Sequence, residues 1–271
     1  MPDDPDVLAG WWAYMRRKRW ARGTRIKRLM EAVRYLEAIP GWRSATWRDV
    51  EAYVDGRDVA ASTSRDIVSN LHAFYRWAGR EGLCEHDPTA LVDSPKVPKR
   101  LPRPARSDDI ARALTIATPR LAAIIALMAG CGLRCCEVAA LRWYDVDLAT
   151  GECRVIGKGD RERTVWLGPG VVARLAALDT TTGPVFVNAY GRPASRAVIS
   201  QNVNELFERA GMTARAHRLR HWHATEALAQ CGRIEVVRDM LGHVSTATTE
   251  GYAQLVPGAA AMVQQAIRLP V

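Results

Sequence analysis

Hydrophobic positions in the N-terminal third of the chain recur at helical spacing. Leu8, Trp11, Trp12, Met15 and Trp20 stand among cations over residues 7–20. Ile26, Leu29, Met30, Val33, Leu36 and Ile39 follow the i, i+3, i+4 rule over 24–38 and predict one amphipathic face. Pro40-Gly41 stops that helix. A short helix is predicted over 46–55 with Thr46 as its N-cap. Over 62–80, Ile67, Leu71, Phe74 and Trp77 share a face, and Gly79 and Gly82 close the segment. Together these predict a bundle of about four helices.

The pattern changes at residues 93–106, DSPKVPKRLPRPAR. Prolines disfavour a helix there and cations disfavour burial, so the stretch reads as a linker. A new helix is predicted from Ser107, which can cap it, with Asp108 and Asp109 at its positive end. An apolar helix follows over 119–130. Alternation at 152–156 and 163–167, around Gly157-Lys158-Gly159-Asp160, predicts a β-hairpin. Val185-Phe186-Val187 reads as a further short strand. Helices are predicted over 195–210, 217–230, 233–241 and 246–254, and an apolar stretch at 259–268 ends the pattern. The expected architecture is mainly α with a small β-hairpin. It comprises an N-terminal helical bundle (1–92), a basic Pro-rich linker (93–106) and an α+β domain (107–271).

Composition narrows the class. With 271 residues, 48% hydrophobic and 25% charged, the chain is long enough for one or two domains and too apolar for disorder. No run reaches the ~18 apolar residues of a membrane span. The acidic start MPDDPDVLAG is unlike a secretory signal, so a cytoplasmic chain is expected. The six cysteines form no paired CxxC framework and read as reduced thiols. Cys131 and Cys135 read as small buried residues of an apolar helix, and no metal or cofactor is expected. The net charge is +9, and five of the 38 basic residues are lysine, so 33 are arginine. Such a balance raises the case for a nucleic-acid partner.

Four segments carry the candidate chemistry. CGLRCCEVAALRWYDVD (131–147) breaks a helix at Gly132 and sets Arg134 just past the break, with Glu137 on the next helix. The hairpin tip holds Lys158. HRLRHWHATEAL (217–228) spaces His217 and Arg220 to share a helix face. LGHVSTATTEGYAQL (241–255) puts His243 in a turn and Tyr252 on a helix. Each alone has a bland reading: a salt-bridged arginine, a hairpin lysine, a capping histidine, a core tyrosine. Their joint occurrence, in this order and in a basic chain, makes the signal.

In these motifs the chain resembles the tyrosine recombinases of the phage-integrase type. Gly132-Leu133-Arg134 with Glu137, the hairpin Lys158, His217-x-Leu219-Arg220-His221, Leu241-Gly242-His243 and Thr248-Thr249-x-x-Tyr252 match the family's pattern in order. The match is strong over 108–255. Over 7–92 it is one of helical shape, similar to the family's core-site-binding domain. Cys135-Cys136 and Trp222-His223 depart from the usual neighbours of these motifs without touching a catalytic position.

The resemblance implies site-specific DNA recombination through a 3′-phosphotyrosine intermediate, independent of metal and ATP. Tyr252 would be the nucleophile and Arg134 and Arg220 would hold the phosphate oxygens. Lys158 would be the acid for the leaving 5′-oxygen and His217 the base, with His243 bonded to the scissile phosphate. Because the chain starts directly at the helical domain, a minimal form lacking an arm-binding domain is expected.

The basic stretch 15–28 is open to two readings, a solvated helix face or phosphate contact. The resemblance favours the second and nominates Arg16, Arg17, Arg19, Arg22 and Arg25. Lys96, Lys99 and Arg100 of the linker join them as a strap that lets two domains clamp a duplex. The expected partners are double-stranded attachment sites, three further copies in a tetramer joined through the C-terminal tail, and an accessory excisionase or DNA-bending protein. The tail's other reading is docking on its own domain. Integration and excision of a phage or mobile element is the expected role. Resolution of chromosome dimers is the runner-up, and a type IB topoisomerase or an inactive DNA-binding regulator stand further off.

Overall fold

The computed structural model describes residues 4–93, 95–97, 101–157, 161–242 and 249–253. Among them the chain is mostly helical, with one two-stranded sheet, as the periodicity predicts. It divides into two units, Met1–Lys99 and Arg100–Val271. No described helix is long and apolar enough to cross a membrane.

The N-terminal unit is built on α1 (Asp4–Arg17), α2 (Arg22–Ala38), α3 (Trp47–Asp55) and α4 (Ala61–Arg80). Thr46 caps α3 as expected, and its backbone N–H donates to Asp49 at 2.7 Å. The core is aromatic: Trp11, Tyr35, Trp42, Phe74, Tyr75 and Trp77 are buried against one another. Its tyrosine hydroxyls are satisfied, while Trp11 Nε1 is buried without a hydrogen-bond partner among the described residues. The Tyr35 and Tyr75 hydroxyls lie 2.9 Å apart, and Tyr75 donates to the Trp42 carbonyl at 2.8 Å. On α4 the predicted face is the buried one. On α2 the buried face is Glu31, Ala32, Tyr35 and Leu36, while Ile26 and Met30 are exposed. The predicted stripe holds in part, with Leu36 buried and Leu29 and Ile39 packed against the core, but the face is turned because Tyr35 and Glu31 have partners that let polar atoms go inside.

The C-terminal unit forms around α6 (Pro119–Gly130), whose residues 122–129 are all buried. A helix apolar on every side needs neighbours on every side. It has them in α5 (Ser107–Ile116), α8 (Pro169–Ala176), α9 (Arg196–Arg209) and α10 (Ala216–Cys231). Between α6 and α8 lie α7 (Cys135–Ala140) and the antiparallel strands β1 (Glu152–Ile156) and β2 (Glu162–Trp166), in register Glu152 opposite Trp166. The last elements are α11 (Ile234–Leu241) and α12 (Glu250–Ala253).

Three local readings change. Ser107 is the first residue of α5 rather than its cap, and its Oγ accepts a hydrogen bond from Trp222 Nε1 at 3.0 Å. Val185-Phe186-Val187 is not a strand. Pro184 and Pro193 flank it and enter only isolated bridges, while Val185 and Phe186 plug the core. Helix α8 is one that the sequence pattern does not predict; it begins at Pro169, and proline suits the first position of a helix. The apolar tail stretch at 259–268 lies outside the described residues.

Candidate active site

The site is assembled where α6 ends. Cys131 caps α6, and Gly132 turns the chain at φ +65°. A Cβ on Gly132 would sit 2.6 Å from His223 Cδ2, so glycine is required for both conformation and space. Arg134 follows as the N-cap of α7, and its backbone N–H donates to Glu137 Oε2 at 2.8 Å. The same arginine turns its Nη1 onto Glu137 Oε1 at 2.7 Å.

Glu137 is the anchor. It is 3% exposed and carries three guanidinium neighbours. Arg163, from β2, meets it in a two-pronged pair at 2.9 and 3.0 Å, and Arg220 Nη1 lies 3.8 Å from Oε2. Burial pushes the Glu137 carboxyl up. The bonds from Arg163 and from the Arg134 backbone outweigh that and hold it below the ordinary carboxylate range. One negative charge is thus set among three positive ones.

Arg220, on the first turns of α10, is 8% exposed. It donates to the carbonyl of Gly132 and, at 2.7 Å, to that of Leu241, the last residue of α11. Burial, with Arg134 beside it, lowers its pKa to about 10, so it stays charged at neutral pH. Its two carbonyl bonds join the turn after α6 to the end of α11.

Tyr252, on α12, is 3% exposed in a small cluster with Ala224, Leu228, Val237 and Leu241. Its hydroxyl is 2.7 Å from His221 Nδ1. Burial raises its pKa, against the lowering pull of Arg220 and Arg134. His217, one turn before His221, sets its ring edge-on to it at 5.5 Å and has its own pKa lowered by burial and Arg218. His217 also lines, with Arg134 and Arg196, a cavity of about 640 Å³ between α7, α9 and α10.

Four of the six residues nominated for catalysis, Arg134, His217, Arg220 and Tyr252, therefore converge on one place. Lys158 and His243 lie outside the described residues. Gly157, just before Lys158, sits against the cluster: a Cβ there would lie 3.5 Å from Glu137 Oε1. Two contributors were not foreseen. Arg163 follows Arg161 in an alternating charged run, and nothing local says which of the two points inward. His221 could have been found, because it is four residues from His217 and shares its helix face.

In the N-terminal unit, Arg16, Arg17, Arg19 and Arg22 are exposed. Arg25 is half-buried over the Trp12 ring at 4.9 Å. Lys96 is exposed, and Lys99 and Arg100 lie outside the described residues.

The phage integrase family matches residues 105–257. A tyrosine recombinase XerC of Lactobacillus delbrueckii subsp. bulgaricus is 34% identical over 237 residues, 80% of each chain. The chain belongs to the phage integrase family. It is a site-specific tyrosine recombinase, an enzyme that cuts and rejoins DNA. XerC of Xanthomonas campestris pv. campestris is 30% identical over 246 residues, 82% of this chain and 76% of that one. Among solved structures, a lambda integrase dimer bound to a COC′ core site shares the fold. Its TM-score is 0.75 at 18% identity, over 92% of this chain and 76% of that one.

Proposed function

We propose that this recombinase cleaves DNA by attack of Tyr252 on a phosphodiester held between Arg134 and Arg220, leaving a 3′-phosphotyrosine. The observation that carries this reading is the convergence of Tyr252, Arg220 and Arg134 around buried Glu137. A phosphodiester supplies the negative charge that three guanidiniums and one carboxylate lack. The planar forks of arginine suit non-bridging oxygens, whose charge grows in the transition state. Lys158 is assigned as acid for the leaving 5′-oxygen, and His217 and His243 as groups beside the phosphate. The bond energy stays in the phosphotyrosine link, so rejoining needs no ATP.

The exposed cations Arg16, Arg17, Arg19, Arg22 and Lys96 are assigned to phosphate contact, with Arg25, Lys99 and Arg100. The N-terminal unit would act as the core-site-binding domain. Assembly as a tetramer on DNA is supported by a lambda integrase tetramer bound to a Holliday junction, which has a TM-score of 0.75.

Two roles are proposed for the reaction. One is integration and excision of a phage or mobile element, helped by an excisionase or DNA-bending protein. The other is resolution of chromosome dimers, and the XerC relatives at 30–34% identity favour it. An attachment site or excisionase gene beside this gene would decide for the first.

A nicked suicide duplex tests the chemistry, using a half-site selected from random-sequence DNA by the wild-type protein. The wild type should accumulate covalent adducts. Tyr252→Phe should bind the half-site with unchanged affinity and give none. Adducts at the wild-type level from that variant would remove Tyr252 as nucleophile.

A further inference from the structure

We propose that His221 is the proton acceptor for Tyr252: its Nδ1 takes the hydroxyl's hydrogen bond at 2.7 Å and then the proton as the oxygen attacks phosphorus. The proposal rests on Tyr252 being the nucleophile. It moves the base from His217, which sequence reasoning nominated, to the residue one turn further along α10.

Geometry separates the three histidines of this helix. His221 faces the Tyr252 ring, with centroids 5.6 Å apart, and the backbone around it is pinned by Thr225 Oγ1 donating to the His221 carbonyl at 3.0 Å. His223 is committed elsewhere: its Nδ1 pairs with the Ala129 carbonyl at 2.9 Å, inside the core. His217 stacks edge-on against His221 and borders the cavity with Arg134. Among the described residues, the side-chain partner of the Tyr252 hydroxyl is His221.

The protonation state suits an acceptor. Burial, His217, Arg220 and Arg218 lower the His221 pKa to about 4, so the ring is neutral at pH 7. A neutral imidazole with its proton on Nε2 offers Nδ1 as a lone pair. Burial meanwhile holds the Tyr252 pKa up. At rest the proton therefore stays on the phenol, and the nucleophile is not unmasked without DNA. Two changes come with substrate. The phosphodiester's negative charge offsets the positive field around His221. As the Tyr252 oxygen–phosphorus bond forms, that oxygen loses its affinity for the proton.

The step balances. The Tyr252 oxygen–phosphorus bond forms and the bond from phosphorus to the 5′-oxygen breaks. The phenolic proton passes to His221, and the 5′-oxygen receives one from the general acid assigned to Lys158. Rejoining runs the same transfers backwards, and His221 returns its proton to Tyr252.

The test uses the full chain and the suicide duplex described above. His221→Ala should slow adduct formation by roughly 100-fold, the lower range for loss of a general base, with half-site affinity unchanged. Added imidazole should restore at least about tenfold of that loss, and a series of substituted imidazoles should restore more as their basicity rises. His221→Asn, which can accept a hydrogen bond but not a proton, should be as slow as His221→Ala. It also serves if the alanine variant fails to fold.

Adduct formation by His221→Asn at the wild-type rate would overturn the proposal, because positioning alone would suffice. Loss without any dependence on imidazole basicity would overturn it too. A wild-type rate in His221→Ala, alongside no adducts from Tyr252→Phe, would sink His221 and leave the nucleophile standing. Adducts from Tyr252→Phe would sink both.

Discussion

Glu31 of the N-terminal unit and Glu137 of the C-terminal unit are both buried carboxylates met by arginine, 6% and 3% exposed. Glu31 accepts from the Tyr53 hydroxyl at 2.8 Å and from Arg57 at 3.0 Å, with Arg34 grazing its other oxygen at 4.0 Å from the exposed side. It closes a small network at the edge of an aromatic core. Glu137 instead gathers Arg134, Arg163 and Arg220, and the positive excess is built into the fold. A buried carboxylate balanced by its partners is a structural device. One overmatched by guanidiniums is a prepared anion site, whose unfavourable charge the rest of the unit must hold in place. The cores differ in the same sense. Aromatic rings with paired hydroxyls build a bundle that presents cations outward. Aliphatic packing around α6 fixes the turn at Gly132, which carries Arg134 and offers its carbonyl to Arg220 from α10.

Removing the two carboxylates is the strongest way to break this comparison. Glu137→Ala should cost about 3–5 kcal/mol, because buried charges lose their counter-ion. Glu31→Ala should cost about 1–3 kcal/mol, the usual range for unsatisfied buried partners. Inorganic phosphate should raise the melting temperature of Glu137→Ala and not that of Glu31→Ala. Equal losses with no response to phosphate would mean that the two clusters are alike. Gly132→Ala comes next. The positive φ and the contact with His223 should destabilise the C-terminal unit by about 1–3 kcal/mol and slow adduct formation, as read by thermal melting and the suicide duplex.

Acid should then separate the units further. The pKa values of His217, His221 and His223 are all lowered, each chiefly by burial. Below an ordinary histidine value of about 6.5 the unfolded chain takes up protons that the folded unit refuses. Stability is therefore complete above that pH and is lost as pH falls towards about 4, the value for His221. The protection factors of α10 amides against hydrogen exchange should fall between pH 7 and 5, and His221→Asn should flatten the slope. The smallest effect is expected at Gly79 in α4, where a Cβ meets nothing within 4 Å. Gly79→Ala should raise the melting temperature slightly, by up to about 0.5–1 kcal/mol in stability.

Apart from α8, the helices, the hairpin and the family were legible from sequence because each rests on local information. Such information includes apolar spacing, a proline or glycine stop, and the order of Arg134, Lys158, Arg220 and Tyr252 along the chain. Even there, periodicity could not tell that α2 turns Glu31 and Tyr35 inward and leaves Ile26 and Met30 outside, because that depends on what Tyr53, Arg57 and Tyr75 offer from other helices. The candidate site shows the same division. Sequence alone determined which residue types were available and that they fall in a recombinase's order. Only the tertiary structure decided that Arg163 rather than Arg161 joins Glu137, that Arg220 ties the Gly132 turn to the end of α11, and that His221 is the ring against Tyr252. These pairings span 26, 88, 21 and 31 residues of chain. Contacts that distant are set by how whole elements pack, and no local spacing records them.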